Sequence, residues 1–167
     1  VANRPAVPIS ALDALVDEGS SHVRLGGVIA AWVNGQRHEV FSAAYRVDEN
    51  GGLAGATEPP VPSRRDSWSL SAVTPAMVGP ADSIVADWRE RGFFPEVVIG
   101  DGVAAYGATL PAGVIRRGHP ALATAVARLG WRAAQRGETI DPAHIQPLYI
   151  RRPDVEIARD ARRAAPR

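Results

Sequence analysis

The pattern of apolar residues first indicates a β-hairpin between residues 28 and 47. Residues 28–33, VIAAWV, form an unbroken apolar run, which is typical of a strand covered on both faces. In the returning segment, residues 39–47, alternation predicts that Phe41 and the odd positions after it form the better core face. Asn34-Gly35 predicts the turn between the strands, because both central residues of a type I′ turn need φ > 0.

Apolar residues recur at helical spacing in three other segments. The first follows Ser10, a predicted N-cap, and ends at Gly19. The second spans residues 80–92, with Asp82 or Ser83 near its cap and Gly92 just past its end. The third and longest spans residues 119–137, and its apolar stripe consists of Leu122, Ala125, Val126, Leu129 and Ala133.

Shorter apolar runs predict the remaining strands. Residues 95–100 read as a short buried strand, residues 147–151 as a final strand, and Leu53 as the centre of a strand after the Asn50-Gly51-Gly52 turn. Residues 58–80 contain five prolines and predict a long surface loop with at most a short strand near residues 68–73. The predicted common core is Phe41, Tyr45, Val98, Leu122, Val126 and Leu129.

This order of elements predicts a mixed α/β fold with an antiparallel start and a later βα repeat. It is compatible with a ribonuclease-H-like lobe. Residues 154–167 are charged and rich in alanine, and we expect a tail there.

Composition excludes several kinds of chemistry. The 167 residues are 46% apolar and include no cysteine, so neither disulfides nor thiolate catalysis can occur. All 19 basic residues are arginine, which excludes lysine Schiff bases and a Walker-type lysine. A formal charge of +1 argues against a dedicated nucleic-acid binder. The sequence contains no run of 18 apolar residues, so no membrane span is predicted.

No catalytic or metal-binding set emerges from the motifs. The four histidines, His22, His38, His119 and His144, are never three to five residues apart, so no metal site is predicted. A two-metal nuclease would need clustered carboxylates, and Asp48 and Asp101 are the pair that could meet. No G-x-S-x-G motif is present, and the serines cluster in the predicted loop.

The Gly100-Asp101-Gly102 turn is the one candidate for binding a cofactor. It follows a predicted strand and could open a helix whose N-terminus favours a phosphate. Residues 100–105 fit the dinucleotide fingerprint only loosely, with Ala105 at the third glycine position, and the acid expected about 20 residues later is missing. We therefore favour a tight strand-to-helix turn in which Asp101 accepts hydrogen bonds from backbone N–H groups, and we predict no cofactor.

Four segments together resemble the TsaB family, also called YeaZ. Residues 7–15, VPISALDAL, are similar to the family's GVSSLEAL, and residues 33–51 are similar to its IDARRGEVYWARY hairpin. Residues 98–106, VIGDGVAAY, resemble its VGDGA turn, and residues 147–153, PLYIRRP, resemble its PLYLRRP. In the hairpin the family's Asp-Ala-Arg is replaced by Asn34-Gly35-Gln36, which removes an acid at the end of the strand.

The resemblance implies a lobe of the actin-like ATPase and sugar-kinase superfamily and a non-catalytic role. The family supports the catalytic subunit TsaD, together with the ATPase TsaE, in threonylcarbamoylation of the tRNA adenosine beside the anticodon. That role implies a cytoplasmic protein that meets tRNA only through the complex. The alternatives are a hydrolase on a ribonuclease-H-like lobe and a nucleotide-binding module that uses the Gly100 turn.

The family's first lobe has no counterpart in these 167 residues, and the chain opens on Val1 without methionine. We therefore expect residues 1–20 to be a remnant of, or a link to, a preceding lobe, residues 21–153 to be the C-terminal lobe, and residues 154–167 to be the tail. Val7, Ile9, Leu12 and Val16 are predicted to form an apolar surface facing the missing lobe. Such a surface favours a homodimer, or a complex with TsaD or with the rest of its own chain.

Overall fold

A computed structural model of the protein describes residues 4–49, 68–147 and 150. The helices are α1 (Ala11–Gly19), α2 (Ala81–Glu90), α3 (Gly102–Tyr106) and α4 (Ala123–Gln135). The strands are β1 (Val28–Gln36), β2 (Glu39–Glu49), β3 (Trp68–Ala72), β4 (Met77–Pro80), β5 (Val97–Ile99) and β6 (Ile115–Arg117). Within these ranges no helix is both long and apolar enough to cross a bilayer.

The six strands form one mixed sheet in the order β3-β2-β1-β5-β6, and β4 also pairs with β2. The pairs of β2 with β1, β3 and β4 are antiparallel, whereas β5 pairs in parallel with β1 and β6. β1 is central, and its residues 28–32 are buried. The prediction of a central first strand covered on both faces is thus confirmed.

The turn of the β1–β2 hairpin lies three residues later than predicted. β1 and β2 pair antiparallel as expected, but Gln36 pairs with Glu39, so Arg37 and His38 form the two-residue loop. Both have positive φ, 51° and 66°, which is typical of a type I′ turn. Gly35 instead lies at a register shift in β1, a β-bulge, and the Asn34 side chain accepts a 2.9 Å hydrogen bond from the Gln36 N–H.

The side chains of the core explain why the Asn-Gly signal was wrong. In the observed register Trp32 lies opposite Ser42 and Ala30 opposite Ala44. A two-residue turn at Asn34-Gly35 would place Arg37 and Glu39 opposite Trp32 and Ala30, on a buried face. Register follows the buried face more strongly than it follows the turn preference.

Changing His38 to glycine should therefore stabilise the hairpin. His38 has a φ of 66°. This conformation is unfavourable for a residue with a Cβ atom, but glycine adopts it without a cost in free energy. We expect the free energy of unfolding to rise by about 0.5–1 kcal/mol, measured by chemical denaturation. Ala112→Gly, at an exposed turn position outside the left-handed region, is the matched control and should lower stability.

Two apolar layers enclose the sheet. One contains alternate residues of β1 and β2, such as Trp32 and Val40, packed against α2 residues including Trp88. The other contains Ile29, Ala43 and Val47, packed against α1. The prediction of a single better face on β2 is wrong, because Val40 and Ala44 are as buried as Ala43 and Val47.

The predicted common core is also wrong in part. Val98 belongs to the α2 layer, whereas Phe41, Tyr45 and Leu122 pack, partly buried, against the α1 layer. Val126 is 42% exposed and Leu129 is only half-buried. The predicted buried face of α4 is thus too wide, because only Ala125 and Ala133 of the predicted apolar stripe are buried.

The helix ends largely follow their signals. Ser10 caps α1, accepting a 3.2 Å bond from the Leu12 N–H, and Gly92 and Gly137 follow α2 and α4 with φ of 76°. The predicted start of α2 is confirmed, because Pro80 is its N-cap and Asp82 lies in its first turn. α4 begins at Ala123, later than predicted.

The predicted apolar surface on the first helix is wrong as well. Leu12 and Val16 are 4% and 0% exposed, because they pack against the sheet. Val7 and Ile9 are half-buried. The proposed division at residues 20 and 153 stays a prediction.

Two edge strands were missed. β4 contains Gly79 and Pro80, and β6 contains two arginines, residues that are typical of edge strands but weak strand signals. β3 confirms the short strand predicted near residues 68–73. The strand near Leu53 and the tail at 154–167 lie outside the described residues, as does most of the predicted strand at 147–151.

A buried ion pair joins α1 to α4. The Arg128 Nε donates to the Asp17 carboxylate at 3.0 Å, and Arg128 also lies 3.5 Å from Glu18. Burial alone would lower the pKa of the Arg128 guanidinium, but the hydrogen bonds that it donates to the Asp17 carboxylate raise this pKa above its usual value. Asp17 is 4% exposed, so the pair fixes α4 on the layer that α1 covers.

Candidate functional site

The Gly100-Asp101-Gly102 turn lies at the edge of the sheet where the parallel strands β1 and β5 end. Gly100 has φ of 132°, and a Cβ there would lie 2.1 Å from the Trp32 carbonyl oxygen. A Cβ at Gly102 would lie 3.0 Å from the same oxygen. The two glycines are therefore required by the close approach of the turn to β1, which is a reason for glycine that involves no ligand.

Asp101 connects the same turn to the end of β1. Its carboxylate accepts a 2.9 Å hydrogen bond from the backbone N–H of Asn34. The side chain does not cap α3, which has only five residues. The predicted tight turn with Asp101 bonded to a backbone N–H is thus what the structure contains, although the N–H belongs to β1. The prediction that Gly100, Asp101 and Gly102 hold no cofactor remains a prediction.

The two acids considered for nuclease chemistry lie at opposite edges of the sheet. Asp101 lies beside Asn34, which pairs with Val40 of β2. Asp48 is eight residues further along β2, about 26 Å away at the rise of a strand. Asp48 accepts a hydrogen bond from the Ser71 hydroxyl instead.

The described histidines are also dispersed. His22 lies 3.1 Å from the Arg117 guanidinium, His38 is at the hairpin turn, and His144 is in a 3₁₀ turn after α4. Among the described residues, no three His, Asp or Glu side chains could hold a metal together. Convergent ligands are what a metal site would need.

Two open grooves flank the segment around Pro8 and Ile9, and the sequence did not predict them. One, of about 640 Å³, is lined mainly by apolar residues including Val33, Phe41 and Ile150. The other, of about 610 Å³, lies between that segment and the second half of α4, including Leu129. The segment itself is tied to the chain after α4 by paired backbone bonds of 2.9 Å between Ala6 and Ile140.

Asp13 borders both grooves. Its carboxylate accepts a hydrogen bond from the Tyr45 hydroxyl. Burial, and then this carboxylate, raise the pKa of the Tyr45 hydroxyl above its usual value. Tyr45 is protonated near neutral pH and donates to Asp13, so the pair is a fixed polar contact at the border of the two grooves.

Sequence reasoning could not find this arrangement, because its members come from distant segments. The one available signal was the Ser10 helix start, which places Asp13 in the first turn of α1. Its contact with Tyr45 depends on how α1 lies on β2.

Comparisons with known proteins give a fold but no close relative. No protein-family model matches the sequence, and no curated protein matches it. Two solved structures from Pseudomonas aeruginosa match the fold. One is a crystal structure described as an uncharacterized protein with similarity to peptidase YEAZ, with a TM-score of 0.60 and 18% identity over 89% of this chain.

The other is described as YeaZ and matches with a TM-score of 0.56 and 19% identity over 87% of this chain. The chain spans about 60% of the length of the two structures that it matches. The sheet order, the mixed strand directions and this match confirm the predicted fold class. The chain has the ribonuclease-H-like α/β fold of the YeaZ (TsaB) proteins.

Proposed function

We propose that this chain is a TsaB-type scaffold subunit. In this role it supports the catalytic subunit TsaD in threonylcarbamoylation of the tRNA adenosine next to the anticodon, and has no catalytic activity of its own. The observation that carries the proposal is the fold shared with the YeaZ structures. It is supported by the four segments that resemble the family, in the same order along the chain.

The geometry of the described residues is in keeping with a scaffold. The glycines and the aspartate of the turn after β5 are used to pack that turn against β1. The two acids named for nuclease chemistry point to different edges of the sheet. A hydrolase would need a convergent polar set, and no described contact favours one.

The partners follow from the same proposal. They are TsaD, the ATPase TsaE and, in a homodimer, a second copy of the chain, with tRNA reached only through the complex, in the cytoplasm. The charge of +1 fits a protein that does not bind tRNA by itself, because neutralising phosphates requires a surplus of basic side chains.

We expect the purified chain to form a complex with TsaD that elutes earlier than either protein in size-exclusion chromatography, with the mass checked by light scattering. In the same assays the chain alone should neither hydrolyse ATP nor modify tRNA. A stable monomer that does not change its elution with TsaD would contradict the scaffold role. ATP turnover by the isolated chain, lost in Asp101→Ala, would instead favour the nucleotide-binding alternative.

A further inference from the structure

Ser42 differs from the other buried polar residues of the described ranges, which are Asp17, Ser20 and Thr74. Ser20 donates to the Asp17 carbonyl at 2.8 Å, and Thr74 accepts a 3.0 Å bond from the Ala44 N–H. Asp17 is paired with Arg128. Ser42 is 0% exposed, and its hydroxyl has no hydrogen-bond partner in the protein.

Two tryptophans on the same side of the sheet also have a buried polar atom without a hydrogen-bond partner in the protein. Trp32 lies directly opposite Ser42 in the β1–β2 pairing, so the two side chains are on the same face of the sheet. Trp88 of α2 stacks on Trp32, with ring centroids 5.7 Å apart. Both indoles are 0% exposed, and neither indole N–H has an acceptor in the protein.

Three unpaired polar atoms in one apolar layer call for a common explanation. Buried tryptophan N–H groups and buried hydroxyls are nearly always hydrogen-bonded, because an unpaired group loses the water that it had when unfolded. Globular proteins contain roughly one buried water per 27 residues, and such a water typically makes about three hydrogen bonds. Two N–H donors and one hydroxyl match the capacity of a water molecule, which has two lone pairs and two hydrogens.

We propose that ordered water is bound inside the core between the sheet and α2, held by the Ser42 hydroxyl and by the indole N–H groups of Trp32 and Trp88. The water accepts hydrogen bonds from the indoles and donates to the Ser42 oxygen. The site lies within an apolar layer, so its water is separated from bulk solvent. This assignment does not depend on the proposed scaffold function.

The test observes water at the indoles directly. In ¹⁵N-labelled protein, rotating-frame spectra should show dipolar cross-peaks between water and the Nε1 protons of Trp32 and Trp88. The indole of Trp131, 68% exposed, is the internal control and should show exchange with bulk water instead. Absence of dipolar cross-peaks at both buried indoles would overturn the proposal.

The Ser42→Ala variant gives a second test, because its midpoint of denaturation should change in opposite directions with and without bound water. If water is bound, removing the hydroxyl should abolish the cross-peaks and lower the midpoint of denaturation, because the water loses a partner. If the hydroxyl is merely unpaired, alanine removes a buried polar group and the midpoint should rise, which would contradict the proposal. Unchanged cross-peaks in Ser42→Ala would show that Ser42 does not hold the water.

Discussion

Gly100→Ala should lower the free energy of unfolding by about 3–5 kcal/mol, a large share of the roughly 5–15 kcal/mol by which folded proteins are ordinarily stable. Two costs combine at this position. A φ of 132° lies in a region that side chains rarely adopt, and the new Cβ would lie 2.1 Å from the Trp32 carbonyl oxygen. Relief of the contact would require the turn to move away from β1. Chemical denaturation followed by far-UV circular dichroism measures the loss.

Two other glycines separate these costs. Gly113 has φ of 92° with no atom near its Cβ position, so Gly113→Ala should show only the conformational strain, about 1–2 kcal/mol. Gly118 has open space and no such φ, so Gly118→Ala should change stability by less than about 0.5 kcal/mol. Equal losses at Gly100 and Gly113 would show that the contact with β1 contributes nothing.

Leu15→Ala should cost about 3–5 kcal/mol, the second large effect. Leu15 is 0% exposed in the layer between α1 and the sheet, so truncation leaves a cavity bounded by strands that cannot close it. Its Cδ1 also lies 3.3 Å from the Cβ position of Gly100, which places it against the turn after β5. Denaturant titration of the variant gives the loss directly.

Leu25→Ala is the matched control for this truncation. Leu25 is 49% exposed just before β1, and removal of its side chain should change stability by less than about 0.5 kcal/mol. A similar loss for the two leucines would mean that the α1 layer is not the core described above. Leu129, half-buried at a groove, should fall between the two.

Local signals in the sequence predicted what depends on a few neighbouring residues. The N-cap at Ser10, the helix ends before Gly92 and Gly137, and the continuous apolar run of β1 each follow from residues within one or two turns. The antiparallel pairing of β1 with β2 could also be predicted, because the strands are adjacent in sequence. The position of their turn was not, since Asn34-Gly35 is the stronger local signal and the burial of Trp32 and Val40 overrides it.

Contacts between distant segments were beyond sequence reasoning. The turn after β5 was predicted, but the carbonyl of Trp32 and the N–H of Asn34 that explain its glycines and its aspartate belong to a strand far away in the chain. The same holds for the contact of Asp13 with Tyr45. The unpaired hydroxyl of Ser42 gave no signal either, because serine on a strand is ordinarily exposed.

The central position of β1 also has a consequence for the order of folding. Its partner on one side, β2, follows after a two-residue loop, whereas its partner on the other side, β5, lies about 70 residues further along the chain. Hairpins form within microseconds, but the parallel pairing must first close a long loop, whose entropic cost is not repaid until β5 and β6 dock. Before that docking, the hairpin's second edge is open and apolar, so β1 is the segment most exposed to aggregation while the protein folds.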